Sequence, residues 1–379
     1  MNPDAMSFQP PHVLLLGPGP SPVPERVLAA MARPTIGHLD PRFVAMMDEL
    51  KQLLRNVFRT GNELTLPVSA PGSAAMEAAF VNLVEPGDTV IVCRNGVFGE
   101  RMRENVLRIG ATAVLVDDAW GQPVDAEKVE AALRTHPGAR ALAFVHAETS
   151  TGACSDAATL CRLAHEHGAL SIVDSVTGLG GIPVDAEAWG ADVVYSGSQK
   201  CLSVPPGLAP ITFSARAVER LRTRTKPVQS WFLDMNLITG YWGRGGGARS
   251  YHHTAPVNLL YALHEALLIL QDEGLEAAFR RHLANHARLR DGLAAIGLEL
   301  AVDERWRLPQ LNAVRVPEGV DEAAVRRTLL LKHGIEIGAG LGALAGKIWR
   351  IGLMGHGSRP ENVDRVLAAL AQALGRRAA

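Results

Sequence analysis

The segment Ala191-Asp-Val-Val-Tyr-Ser-Gly-Ser-Gln-Lys200 is a short apolar run that stops in small hydroxyl residues and a single lysine, just before the breaker sequence Pro205-Pro206-Gly207. A lysine at such a strand end loses part of its solvation. Its pKa falls, and the neutral amine can attack an aldehyde to form a Schiff base. A second apolar run, Ala169-Leu-Ser-Ile-Val-Asp174, also closes on one ionisable group, 26 residues earlier. An amine and a carboxylate at two strand ends are what pyridoxal phosphate requires: the amine holds the aldehyde carbon, and the carboxylate keeps the pyridine nitrogen protonated. Taken singly, Lys200 would be a solvated loop residue and Asp174 the N-cap of a helix. The polar approach Ser196-Gly197-Ser198-Gln199 and the tight Gly178-Leu-Gly180-Gly181 after Asp174 favour the cofactor reading of the pair.

Such a cofactor also needs a phosphate anchor, and the backbone N–H groups of a helix N-terminus provide one. Val68-Ser69-Ala70-Pro71-Gly72-Ser73-Ala74-Ala75 has the required form: an apolar approach, a glycine turn, a hydroxyl at the cap, then a helix. An amino-acid substrate brings a carboxylate, which an arginine fork grips in two places. Arg350, flanked by Trp349 and Ile351, is the candidate clamp, with Arg33 and Arg249 as alternatives and a buried ion pair as the structural reading. Phe98, between Gly96 and Gly99, could stack on a flat ring or simply pack in the core. The pair His252-His253 does not read as a metal site, because adjacent side chains on an extended chain point apart and no acidic partner is near. Gly243-Arg-Gly-Gly-Gly247 matches no dinucleotide fingerprint, since no strand feeds it.

The elements that must position these residues follow a βα alternation. Asp88–Cys93 precedes a helix over Glu100–Ile109, Ala113–Val116 one over Ala126–Arg134, and Ala141–Val145 one over Ser155–His167. This predicts a mostly parallel sheet covered by helices, with ligands gathered at the carboxyl ends of its strands, where Asp174 and Lys200 lie. At 379 residues and 47% apolar composition two domains are expected: an arm over 1–20, too rich in Pro and Gly to be a core element, a large domain over 21–273, and a smaller α+β domain over 274–379. Within them a long helical tract from Val257 is expected to break at Gly274, followed by strands near Leu298–Val302, Gln310–Val316 and Ile348–Met354. Thirty-eight basic and 39 acidic residues, in no long block, argue against nucleic acid and membrane surfaces as partners. Four cysteines without metal spacing and an N-terminus without a signal pattern are those of a cytoplasmic protein.

Together these segments resemble the class V aminotransferases of fold type I, and among them the alanine–glyoxylate and serine–pyruvate enzymes. The likeness runs through Gly17-Pro-Gly-Pro, Glu85-Pro-Gly-Asp, Glu148-Thr-Ser-Thr-Gly152, Val173-Asp-Ser-Val176, Tyr195-Ser-Gly-Ser-Gln-Lys200, Lys226-Pro-Val, Tyr251-His-His-Thr254 and Arg350-Ile-Gly-Leu. The resemblance implies pyridoxal 5'-phosphate as cofactor, Lys200 as Schiff-base lysine and general base, and Asp174 as partner of the ring nitrogen. It further implies Gly72 and Ser73 in the phosphate cup, Phe98 over the ring, Thr149 and Gln199 hydrogen-bonding the cofactor, and Arg350 with Gly17 at the substrate. It implies a homodimer in which Tyr251 and Thr254 complete the phosphate site of the other subunit. The reaction it implies is a ping-pong transamination from alanine or serine to glyoxylate or pyruvate, with an aminoethylphosphonate–pyruvate or pyridoxamine–pyruvate specificity as the alternative and a catalytically silent cofactor-binding module as the non-enzymatic one. A cysteine desulfurase would need a late cysteine, and residues 202–379 contain none. Three positions depart from the family pattern: Phe98 stands for a tryptophan, Pro71-Gly72-Ser73 for Ser-Gly-His, and Thr149 for a serine.

Overall fold

The computed structural model describes residues 6–243 and 249–376. Its main sheet comprises β1 (Leu64–Val68), β2 (Thr89–Arg94), β3 (Thr112–Asp117), β4 (Ala141–Val145), β5 (Leu170–Asp174), β6 (Val193–Tyr195) and β7 (Ala209–Phe213), in the order β1-β7-β6-β5-β4-β2-β3. The pairs from β3 to β6 are parallel. Every residue of β4 and β5 is buried, as expected for strands covered by helices on both faces; β4 is apolar throughout, while β5 also buries Ser171 and Asp174. Helices begin where local chemistry starts them: Asp125, Asp156 and Ser214 each accept a hydrogen bond from a backbone N–H in the first turn of the helix that follows.

One strand breaks the parallel pattern, and its direction is not apparent in the sequence. β7 runs antiparallel to both β1 and β6, with Pro67 facing Pro210. Neither proline can donate to a ladder. The arrangement survives because β1 is the sheet edge and because Pro210 lies just beyond the β6 ladder, where its carbonyl accepts from Ser196 N at 2.8 Å.

Helices α1 (Gly72–Leu83) and α2 (Val97–Ile109) follow β1 and β2. Farther on, α3 (Val257–Glu273) and α4 (Leu275–Ala295) meet at Gly274, whose φ of 82° breaks the tract as expected. A second sheet then forms from β8 (Leu311–Arg315), β9 (Gly338–Ala339) and β10 (Ile348–Gly352), antiparallel in the order β8-β10-β9 and backed by α5 (Glu322–His333) and α6 (Pro360–Ala373). The expected strand at Leu298–Val302 reduces to a single bridge between Leu300 and Val314. The chain after it turns into a short 3-10 helix over Glu304–Trp306, capped by Asp303.

The N-terminal arm is more deeply integrated than its composition suggests. Leu14–Leu15 pairs in parallel with Ile335–Glu336, Gly352 N donates to Leu16 O at 2.8 Å, and Leu16 is wholly buried in the same apolar cluster as Trp349 and Val363. Pro and Gly forbid a long element there; they do not forbid a buried one.

Candidate active site

β5 and β6 are neighbours in register, so Asp174 and Tyr195, the last residues of the two strands, lie side by side. Lys200 is not on the strand itself. The chain leaves β6 at Tyr195 and folds into a tight loop, in which Val204 N donates to Ser198 O at 3.1 Å and Ser198 N to Leu208 O at 2.9 Å. This loop carries Lys200 back over the strand ends. The arm closes over it: Lys200 Nζ donates to the Pro18 carbonyl, and Ser21 Oγ donates to Lys200 O at 2.7 Å. At Gly19, with φ of 114°, a Cβ would stand 2.6 Å from Lys200 Nζ, so the crossing demands glycine.

Burial decides the electrostatics. Lys200 is 8% exposed, and burial, aided by the Arg350 charge, lowers its ammonium to about 8. Asp174 is 2% exposed, and burial raises its carboxyl to about 7 even though Oδ1 accepts from Val176 N at 2.9 Å. Its other oxygen, Oδ2, has no hydrogen-bond partner among the described residues. A buried carboxylate oxygen left unpaired is costly, and it is a ready acceptor for a donor brought by a ligand.

Arg350 sits at the centre of β10, buried, with Nε donating to Ala339 O at 2.7 Å and Nη1 to Thr149 O at 3.0 Å. It forms no ion pair among the described residues, and burial lowers it to about 10 against the opposing pull of Glu148. The two alternative clamps are committed elsewhere, Arg33 to Glu265 and Arg249 to Asp48. Gly17 lies against the same sheet: a Cβ on Gly352 would fall 2.0 Å from Gly17 O.

Gly72 opens α1 against the ends of β5 and β6, where a Cβ would lie 3.2 Å from Val176 Cγ2 and 3.4 Å from Ser196 O. The helix has no side-chain cap. Pro71 is the N-cap residue, and Ser73, expected there, lies in the first turn and accepts from Arg101 Nη1 at 2.9 Å. With proline at the cap the hydroxyl sits at the second helical position, and while Ala74 N donates to Pro71 O at 2.8 Å, the N–H groups of Gly72 and Ser73 have no partner among the described residues. Phe98 is half-buried near the start of α2, with the Arg101 guanidinium 4.9 Å from its ring centroid. The buried Thr149 hydroxyl pairs with that of Thr177, and Gln199 Oε1 is buried without a partner among the described residues.

Tyr251 and Thr254 are exposed, and Tyr251 packs edge-on against His38. Their segment is tied to the turn before α1 by His253 Nε2, 2.8 Å from Ser69 Oγ. Contrary to the expectation that they point apart, His252 and His253 bring their Nδ1 atoms within 2.7 Å. The backbone bends at His253 rather than running extended, and His252 stacks on Trp231 at 4.5 Å. Gly243-Arg-Gly-Gly-Gly247 falls mostly outside the described residues.

The structure adds residues that the sequence reading passed over. Glu148 is fully buried; Oε1 accepts from Ser150 N at 2.9 Å and Ser150 Oγ at 2.5 Å, while Oε2 has no partner among the described residues. Burial raises its pKa. Ser150 Oγ in turn accepts from Val97 N at 3.0 Å, so this loop braces the start of the Phe98 helix. His146, held neutral by burial at about 4, lies 3.1 Å from Ser175 Oγ. The run Glu148-Thr-Ser-Thr-Gly152 was the available signal for the first of these.

A weakened ammonium, an unpaired buried carboxylate oxygen and an open helix N-terminus thus border one another. This set complements a ligand with an aldehyde, a protonated ring nitrogen and an anionic tail.

Comparisons with known proteins agree. Residues 13–366 match the model of the family described as aminotransferase class-V. The fold is similar to that of an alanine–glyoxylate aminotransferase from Nostoc sp., with a TM-score of 0.95 and 49% identity over 98% of this chain and 97% of that one. It is also similar to ureidoglycine–glyoxylate aminotransferase from Bacillus subtilis, with a TM-score of 0.94 and 37% identity over 97% and 94% of the two chains. Alanine–glyoxylate aminotransferase of Rattus norvegicus is 42% identical over 366 residues, covering 96% of this chain and 88% of that protein. The chain belongs to the class V aminotransferases, with their fold type I architecture.

Proposed function

We propose that this protein is a pyridoxal 5'-phosphate-dependent transaminase that moves an amino group from a small amino acid, alanine or serine, to a 2-oxo acid, glyoxylate or pyruvate, by a ping-pong mechanism. The observation that carries the reading is the pairing of a buried, easily deprotonated Lys200 with the unpaired Oδ2 of Asp174 on adjoining strand ends. Glyoxylate is favoured as acceptor because it recurs in the names of relatives whose donors differ, alanine in one and ureidoglycine in another.

In this reading Lys200, Asp174, Gly72, Ser73, Phe98, Thr149 and Gln199 hold the cofactor. When bound, pyridoxal phosphate supplies an aldehyde carbon for the amine and a ring that accepts the electron pair released at the substrate α-carbon. Asp174 Oδ2 would accept a hydrogen bond from the protonated ring nitrogen, and so be paired and charged. Arg350 grips the substrate carboxylate and, with the arm at Gly17, sets the α-carbon toward Lys200. Neutral Lys200 Nζ would take the α-proton as general base and, within the same half-reaction, pass it to the carbon that had been the aldehyde; the opposite half-reaction would move the proton in reverse. The closed arm at Pro18 and Gly19 shields that proton transfer from bulk water.

The reading extends to a homodimer in which Tyr251 and Thr254 reach the phosphate site of the other subunit. The 65% exposure of Tyr251 and the 62% exposure of Trp231, which stacks on the adjacent residue His252, support a covering partner. Four free cysteines, three of them buried, support a reducing cytoplasm.

The test is the visible absorption spectrum of the purified protein. A cofactor band that alanine bleaches and glyoxylate restores is expected; no band after incubation with pyridoxal phosphate would refute the Lys200 assignment. A band indifferent to alanine would discard alanine as donor.

A further inference from the structure

Pro71 brings no side-chain donor to the N-terminus of α1, yet a cation stands beside it. Arg101, one turn beyond Phe98 on the same face of α2, places its guanidinium 4.9 Å from the Phe98 ring centroid and donates to Ser73 Oγ at 2.9 Å. Its neighbours on and before α2 are spent on carboxylates: Arg94 on Glu100 and Asp117, Arg103 on Glu100 and Glu104, Arg108 on Glu104. Arg101 pairs with no carboxylate among the described residues, and its charge is felt at the buried Tyr195 hydroxyl beside Asp174.

We propose that Arg101 is a phosphate-binding residue of the cofactor site, acting together with the Ser73 hydroxyl. Accepting from Arg101 leaves the Ser73 O–H proton free to donate, so guanidinium, hydroxyl and the open N–H groups of α1 present a converging set of donors to a dianion. Stacking on Phe98 holds the fork in place from below. This inference rests on the pyridoxal phosphate reading above, where the buried, unpaired Asp174 Oδ2 marks the other end of the same ligand.

The test compares binding of pyridoxal 5'-phosphate and of phosphate-free pyridoxal to the cofactor-stripped protein, followed by absorbance titration, for the wild type, Arg101→Gln and Arg101→Lys. Thermal unfolding of each stripped variant verifies that it is folded. Loss of one charge-assisted contact is expected to weaken the phosphorylated ligand about tenfold or more, to leave pyridoxal within about twofold, and to be partly reversed by lysine. Equal weakening of both ligands would assign Arg101 to ring packing and overturn the proposal, as would unchanged binding of both. A wild type that takes up neither ligand would overturn the pyridoxal phosphate reading itself, and the inference with it.

Discussion

Asp174→Asn should reverse its effect on stability according to whether the cofactor is bound. In the cofactor-free protein the Asp174 carboxyl is pushed from its ordinary 3.8 to about 7, burial being the main cause. The folded state therefore binds a proton that the unfolded state has lost between those two values. Stability contributed by this group is complete below the lower pKa and falls as pH rises through the higher one. At about 1.4 kcal/mol per pKa unit, the loss is about 2 kcal/mol at pH 5 and about 4 kcal/mol at pH 8. Asparagine never ionises and can still accept from Val176 N with its carbonyl oxygen. The variant should thus gain about 2–3 kcal/mol on the wild type between pH 5 and pH 8 in denaturant unfolding of the stripped proteins. Adding pyridoxal phosphate should then stabilise the wild type more than the variant, because only a carboxylate can pair with a protonated ring nitrogen. A wild-type-to-variant difference that stays flat with pH would refute the reasoning, and so would a shift favouring the wild type.

Lys200 in the stripped protein should react with an amine-modifying reagent along a curve centred near pH 8, rising to a plateau above it, rather than near the ordinary 10.5; Arg350→Met, which removes a nearby positive charge, should move the midpoint upward. Arg350→Lys should raise the KM for the amino acid about tenfold or more with a smaller fall in kcat, since a point charge cannot replace a fork; an unchanged KM would remove Arg350 from substrate binding. Neither Lys200→Ala nor Tyr251→Ala should turn over well alone, but mixing and refolding them together should restore activity at hybrid sites. No recovery would argue against phosphate sites shared across a dimer.

How much of this was legible in the amino-acid order depends on the range of the interactions involved. The βα alternation from Asp88 to Asp174 could be read because each unit is a local pattern of apolar runs and amphipathic turns, buried or capped by its own residues. Lys200 and Asp174 could be proposed together for a similar reason: the apolar runs before them end in local punctuation, although Lys200 itself lies in the loop after its strand. Arg350 could be proposed from its apolar flanks. What composition misjudged was set by contacts between distant parts of the chain. Leu14–Leu15 became a strand only because Ile335–Glu336 offers it an edge, and the prolines of β1 and β7 are tolerated only at their places in the sheet. The pairing of Arg101 with Ser73 spans 28 residues and two helices, and no spacing rule announces it. Above all, the reactivity of the site is a tertiary property. The types of Lys200 and Asp174 are written in the chain, but their shifted proton affinities and the unpaired oxygen come from the low-dielectric, water-poor surroundings that the arm, the loop and both sheets create only when assembled.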